Sequence, residues 1–234
     1  MLSRRLAPWV VLLCCAACFP RASVPDADRQ RISRELDGQQ RWLAVSLNAG
    51  PFYGDTSKLL VAPQPFRELE LLEDVDGRPI EPAPAERVIA AGTPVRITRV
   101  ELPTGWIIAR RVVMTPRYHP WAFLEVPGEP RPLILVLRQD ASSFDDIHAE
   151  LDSVLTGTDP APVLRALTAE QRAAIGRKSV VEGMPPRAVE MAWGQPWKRV
   201  LDVPAKKEEW VWVGESRRVW FEDGRLVRWS ERGR

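Results

Sequence analysis

Residues 183–196 read GMPPRAVEMAWGQP, and this stretch sets the architecture that we expect for the C-terminal part of the chain. Pro185 and Pro186 suit the first turn of a helix, because that turn does not need the N–H that proline lacks. Gly194-Gln195-Pro196 ends a helix sharply, since glycine accepts the cap conformation and proline cannot continue the turn. The apolar face between these signals consists of Ala188, Val189, Ala192 and Trp193.

The residues on either side of this helix predict a second helix and an antiparallel sheet. A capping box begins at Thr168, with Gln171 three residues later, and favours a helix that continues to Val181. Two helices followed by an antiparallel meander can bury one face of the sheet. The strand candidates and their hairpin signal are Arg199–Val203, Glu208–Val213, Arg217–Glu222, Asp223-Gly224 and Arg225–Ser230.

Some of these residues form the pattern of a known family. The chain resembles the SmpA/OmlA family of BamE-like outer-membrane lipoproteins, in which a Gly-Met helix start and a Gly-x-Pro helix stop precede an aromatic sheet. The resemblance implies a BamE-like α+β domain over residues 143–234, with two helices on three to four antiparallel strands. It also implies a part in the assembly of outer-membrane proteins. The matching residues are Gly183-Met184, Val189, Gly194-Gln195-Pro196, Trp210, Val219-Trp220-Phe221 and Asp223-Gly224.

The N-terminus has the pattern of a secretion signal. Two arginines precede an uncharged apolar run, Ala7–Ala17, which is too short to span a bilayer. Cys15-Ala16-Ala17-Cys18 resembles a bacterial lipoprotein box, which implies a signal peptide over residues 1–18, lipidation of Cys18 and sorting to the outer membrane. Cleavage by the ordinary signal peptidase, at a site up to Ala22, is the alternative and would leave a soluble periplasmic protein.

Residues 41–140 predict a β-rich domain, preceded by a tether or lead-in helix over residues 19–40. Val95–Val100 alternates apolar and polar residues, as a strand with one buried face does. Trp106–Met114 predicts a further strand. The phrase Gly92–Ile97 resembles the strand entry of bacterial SH3-like domains, which implies a small barrel or sandwich. The predicted fold class is therefore α+β, with a small β-rich module followed by a helix-and-sheet module.

Aromatic and basic residues of the last strands form the candidate partner-binding site. Trp210 and Trp212 share one face of their strand, because residues two apart on a strand point the same way. An exposed tryptophan row would form a contact surface, whereas a row beneath the helices would be core. Nearby basic residues would contact acidic partners or anionic lipid, or form a solvated strand face. The full candidate set is Trp210, Trp212, Trp220, Trp229, Arg217 and Arg228.

The sequence contains no nucleophile elbow, zinc-protease motif, phosphate-binding loop or dinucleotide-binding glycine motif. His119 lies in a loop bracketed by prolines, where a structural role is favoured, and His148 is placed for an ion pair on a helix surface. We therefore expect no catalytic residue, metal or cofactor, although paired carboxylates in a cleft stay open. A net charge of +2 gives no reason to expect a nucleic-acid partner.

Together these features predict a non-enzymatic, lipid-anchored protein at the periplasmic face of the outer membrane. Its expected partners are periplasmic or outer-membrane proteins, recognised by aromatic and edge-strand surfaces, and the membrane itself through an acyl anchor at Cys18. Two alternatives stay open. One is a cell-wall module whose SH3-like part binds peptidoglycan, and the other is a secreted enzyme inhibitor with the same sheet layout.

Overall fold

Two β-sheets organise residues 24–232, the part of the chain that the computed structural model describes. Cys18 and the predicted signal peptide lie outside the described residues. In the first sheet the strands follow the order β4-β2-β3-β7-β6-β5-β1-β8, and every pair is antiparallel except β3 with β7. These strands are β1 (Gln40–Leu43), β2 (Leu47–Phe52), β3 (Asp55–Ala62), β4 (Arg87–Ile89), β5 (Pro94–Glu101), β6 (Trp121–Glu125), β7 (Leu133–Val136) and β8 (Leu155–Thr156).

The central strands of this sheet bury side chains on both faces. In β6, Trp121 and Phe123 enter one core, while Ala122 and Leu124 enter the other. A strand that is covered on both sides must be apolar at every position rather than at alternate ones. This explains the unbroken Leu-Ile-Leu-Val sequence of β7, whose residues divide between the same two cores or pack against them.

Six helices accompany the two sheets within residues 24–232. Ile32 lies in the last turn of α1 and Leu36 directly follows the helix. Both pack in the same core as the apolar stripe of α3. The α3 stripe starts at a capping box in which Ser143 and Asp146 each hydrogen-bond the other's backbone N–H. The helices are α1 (Asp26–Glu35), α2 (Gly105–Arg110), α3 (Phe144–Val154), α4 (Ala161–Arg165), α5 (Ala169–Gly176) and α6 (Pro186–Trp193).

The eight-stranded sheet and the helices packed on it form a first unit, which is larger than the module predicted from the sequence. Its sheet has eight strands and one parallel pair, in place of a small barrel or sandwich. The predicted boundary at residue 143 also differs from the packing, because α3 lies in the core of the first sheet and β8 pairs with β1. The first unit therefore ends at Thr156, and the residues after it form the second unit. The SH3-like resemblance stays a prediction.

The strand predicted at Trp106–Met114 is wrong, because its first half is the short helix α2. Thr104 starts this helix by accepting a hydrogen bond on its side chain from the backbone N–H of Ile107. Only Ile108 of the helix is buried. The apolar, β-branched composition favoured a strand, but the local N-cap decided the conformation.

The second sheet is the antiparallel meander that the turn signals predicted. Its strands follow the order β12-β11-β10-β9, and α5 and α6 share a core with one of its faces. The backbone of Gly183 and Met184, just before α6, exchanges hydrogen bonds of 2.8 and 2.9 Å with Leu226. The strands are β9 (Lys198–Asp202), β10 (Lys207–Val211), β11 (Arg217–Glu222) and β12 (Arg225–Glu231).

Gly194 ends α6 in a conformation that glycine alone adopts readily, with φ 82° and ψ −174°. Its Cα also lies close to the first unit, since a Cβ built there would be 3.6 Å from Val45 and 3.7 Å from Pro63. Glycine is therefore required for the turn, and Pro196 follows where the chain leaves the helix. The predicted Gly-x-Pro helix stop is confirmed.

Ser46, which is fully buried just before β2, joins the two units. Its hydroxyl donates to the Ile175 carbonyl of α5 at 2.8 Å and accepts from the Ala91 N–H at 2.9 Å. Its backbone N–H donates to the Met191 carbonyl of α6 at 2.8 Å. One residue thus satisfies backbone groups from the first unit and from both helices that cover the second sheet.

We expect Ser46→Ala to lower the free energy of unfolding by about 1–3 kcal/mol, because the buried Ala91 N–H loses its acceptor. The Ile175 carbonyl keeps a second donor, the backbone N–H of Lys178. Urea denaturation measures the change. Ser153→Ala, at an exposed helical serine, serves as the control and should stay within about 0.5 kcal/mol of the wild type. Equal midpoints for the two variants would contradict the role given to Ser46.

Candidate functional site

Trp210 and Trp212, predicted as part of a contact surface, are buried with α5 and α6 in the core of the second unit. The ring centroid of Trp210 lies 4.8 Å from that of Phe221. The Trp212 ring meets Trp193 of α6 edge to face, with centroids 5.3 Å apart. The prediction of an exposed Trp210–Trp212 row is therefore wrong, because α5 and α6 cover that face of the sheet.

Arg217 was also expected at the surface, but only 7% of it is exposed. Arg217 begins β11 on the same sheet face as Trp210, because Trp210 is paired with Val219 and residues two apart on a strand share a face. Its guanidinium lies 5.3 Å from the Trp193 ring, and its Nε is 3.5 Å from a Glu231 carboxylate oxygen. The predicted solvated position of Arg217 is thus corrected to a buried one.

Trp220 and Arg228 are the two members of the candidate set that the structure brings together on the outer face of the second sheet. They are paired across β11 and β12, and the Arg228 guanidinium lies 3.7 Å from the Trp220 ring centroid. Trp229 is exposed at the edge, but it is paired with buried Val219 and so belongs to the helix-covered side. The candidate set is therefore split between two faces.

The edge strand β9 is the most exposed strand of the second sheet, with all five residues at the surface. Within the described residues it pairs on one side only, with β10. The sequence predicts a strand at Arg199–Val203 but does not predict that all its residues are exposed. The signal was present, because apolar residues stand here without the alternation that a half-buried strand shows. The exposed apolar side chains at and beside the strand are Trp197, Val200, Leu201 and Val203.

A second group of exposed apolar side chains lies in the first unit, in and after α2. It comprises Trp106, Val112, Val113 and Met114. Arg110 is nearby, with its guanidinium 5.8 Å from the Trp106 ring. This group contains no unpaired strand edge, in contrast to β9.

A cleft of about 710 Å³ opens between the two units. The first unit contributes the segment that follows β3, including Arg67 and Glu68, and the second contributes Trp193, Trp212 and Arg217. A volume of this size is within the range of small-ligand sites in proteins. The cleft therefore qualifies as a binding site by size and by its mixture of aromatic and charged walls.

Neither histidine is placed for acid–base chemistry with a nucleophile. His119 has its Nδ1 2.9 Å from the Leu137 carbonyl oxygen, and burial lowers the pKa of its imidazole. His148 lies 3.1 Å from Asp152 on the surface of α3. Within residues 24–232, no three metal-binding side chains cluster in a way that would hold an ion.

Comparison with known proteins adds no family. The chain has no match among the models of protein families, characterised proteins or solved structures. Over residues 24–232, none of the helices combines the length and the apolar character that crossing a bilayer requires.

Lys178 lies where the two units meet. Its Nζ donates to the carbonyl oxygens of Ser46 and Ala192, the second at 2.9 Å. Although the residue as a whole is half-buried, burial around its ammonium group lowers the pKa of Lys178 to about 7, and the positive charge of Arg217 adds to this effect. An ammonium at this joint therefore costs stability that the neutral amine does not.

We expect the stability of the chain to rise with pH between about 7 and 10, because the unfolded state there binds the Lys178 proton and the folded state does not. Stability changes by about 1 kcal/mol per pH unit within this window, and it stops depending on Lys178 below pH 7, where both states bind the proton. Urea denaturation of the wild type and of Lys178→Met at several pH values measures it. Parallel pH profiles for the two proteins would show that Lys178 does not titrate in this way.

Proposed function

We propose that this chain is a non-enzymatic lipoprotein of the outer membrane that binds protein partners of the bacterial envelope through the edge of β9. The observation that carries the proposal is an edge strand with every residue exposed and large apolar side chains at and beside it. The BamE-like and SH3-like resemblances are part of the same proposal. The BamE-like resemblance fits the helix-and-sheet module and a lipoprotein signal at the N-terminus, and the SH3-like resemblance concerns the first unit.

Edge strands present unpaired backbone N–H and C=O groups, and proteins usually protect such edges with charged side chains or short length. In β9, Lys198, Arg199 and Asp202 supply charge, but Leu201 in the strand and Val203 just after it are exposed by 63% and 68%. An extended peptide can add to such an edge, gaining affinity from backbone hydrogen bonds and specificity from alternate side chains. The β9 edge suits a partner that offers an extended, apolar segment.

The outer face of the same sheet would extend this contact. Val200, Glu209 and Trp220 form one row across β9, β10 and β11, because each is paired directly with the next. A groove of about 430 Å³ runs along this row as far as Arg228. Tryptophan and arginine are the residue types that most often dominate binding energy at interfaces. A side chain of the added segment would meet Val200 first, and a part of the partner that extends across the sheet would reach Trp220, two strands further along the row.

A lipid anchor at Cys18 would strengthen weak contacts of this kind by raising the local concentration of the chain near its partners. Stable anchoring needs more than one acyl chain, which a bacterial lipoprotein cysteine carries. The two alternatives predict different behaviour. A peptidoglycan-binding module would sediment with purified sacculi, and an enzyme inhibitor would block a periplasmic hydrolase in a direct assay.

The β9 prediction is tested by photo-crosslinking in intact cells, with the crosslinking residue at position 203. We expect defined protein adducts that fall at least about tenfold in Leu201→Lys, because a charge on the edge opposes strand addition. Val113→Lys is the matched control, since Val113 is exposed by 68% in the other apolar group. Equal loss in both variants, or no loss in either, would contradict docking at β9, and adducts to peptidoglycan alone would favour the cell-wall alternative.

The anchor is tested by mass spectrometry of the mature N-terminus. We expect the first residue to be Cys18, with a mass increase that corresponds to its acyl chains. An unmodified N-terminus beyond Cys18 would show a soluble periplasmic protein. The β9 edge would then have to act without a tether.

A further inference from the structure

Arg217 occupies an unusual position at the wall of the cleft between the two units. Arg217 is 7% exposed. The negative charges of Glu68 and Glu231 favour its charged form, and the positive charge of Arg67 opposes it. Burial lowers the pKa of the Arg217 guanidinium. A charge held this way normally requires a set of close hydrogen-bond partners.

Those partners are missing within residues 24–232. The nearest carboxylate oxygen, on Glu231, is 3.5 Å from Nε, which is an ion-pair distance and too long for a hydrogen bond. The Trp193 ring, 5.3 Å away, provides a cation–π contact and no acceptor. None of the five N–H donors of the guanidinium has a hydrogen-bond acceptor in this part of the chain.

Arg111, which is also buried in the part of the chain that the structure describes, shows the contacts of a guanidinium with a structural role. Arg111, 8% exposed, donates to the Glu101 carboxylate at 2.9 Å and to the backbone carbonyls of Arg117, His119 and Glu101 at 2.9, 2.7 and 3.1 Å. It also stacks on Trp121, 3.5 Å from the ring centroid. The fold therefore supplies acceptors to Arg111, whereas residues 24–232 supply none at hydrogen-bond distance to the guanidinium of Arg217.

The charges of the cleft select the class of anion. The ionisable side chains that line it are Arg67, Glu68, Glu70, Arg217 and Arg232, which together give a surplus of one positive charge. A singly charged carboxylate suits a site of such small net charge, to which Glu231 beside Arg217 also contributes, because the glutamates would repel a doubly charged phosphate more strongly. A carboxylate also matches the planar fork of arginine with two parallel hydrogen bonds.

We propose that Arg217 binds the carboxylate of a ligand whose apolar part lies against Trp193 and Trp212. Both tryptophans line the cleft next to Arg217 and supply a rigid aromatic wall. The carboxylate belongs either to a small organic acid or to the C-terminus of a polypeptide, which share this chemistry. No residue of β9 lines the cleft, so this site is separate from the proposed docking edge and stands or falls independently of it.

Binding is tested on the full chain by calorimetry and tryptophan fluorescence. The probes are N-acetyl-phenylalanine, its amide, a tripeptide with a free C-terminal phenylalanine, and inorganic phosphate. We expect both free acids to bind at least tenfold more tightly than the amide and the phosphate. A tripeptide that binds more tightly than the acetylated amino acid identifies a polypeptide terminus as the ligand, and equal affinities identify a small acid. Failure of both acids to bind with a Kd below about 1 mM would overturn the proposal.

Variants separate a binding role from a structural one. Arg217→Lys should weaken the free acids at least tenfold, because lysine cannot reproduce the paired hydrogen bonds. Arg165→Lys, at an exposed position of α4, should leave their affinity unchanged. Without ligand, Arg217→Met should melt within about 2 °C of the wild type or above it, whereas Arg111→Met should melt well below it. Retained affinity in Arg217→Lys, or a loss of stability in Arg217→Met as large as in Arg111→Met, would overturn the assignment.

Discussion

Ser46 bonds to the first unit and to α5 through its hydroxyl and to α6 through its backbone N–H, so the relative placement of the two sheets depends on it. Its acceptor Ile175 lies in α5 and its donor Ala91 follows β4, while its backbone reaches α6 and Lys178. A buried polar residue with every group satisfied specifies one arrangement of its neighbours, because any shift leaves a donor or acceptor unpaired. The cleft between the units has its shape because of this joint.

Local signals in the sequence predicted the start of α5 and the hairpin between β11 and β12, since they act within one turn or one hairpin. The capping box at Thr168 and the Asp223-Gly224 turn are these signals. The pairing of distant strands was not readable, because it depends on tertiary contacts. The parallel pair of β3 with β7 and the placement of α3 in the first core belong to this class. At Trp106–Met114 a single capping threonine, Thr104, outweighed strand-favouring composition.

The candidate site was harder to predict than the fold. Alternation along a strand tells which side chains share a face, but it does not tell which face the helices cover. Trp210 and Trp220 are alike in the sequence, yet one is core and the other is half-buried on the outer face. Arg217 shows the same limit, because its burial follows from Trp193 of another element. The exposure of β9 likewise depends on the absence, in the described residues, of a fifth strand beside it.

The pairing of β1 with β8 has a consequence for folding during synthesis. Leu43 pairs with Leu155, so the two partners are separated by nearly the whole first unit. Because a ribosome makes the chain from its N-terminus, β1 can pair with β5 early, but its other edge stays open until β8 has emerged. Such contacts between distant segments slow folding, since a long loop must close before they form. The β1 edge that receives β8 is therefore the side of the first sheet that stays open until the end of that unit has been made.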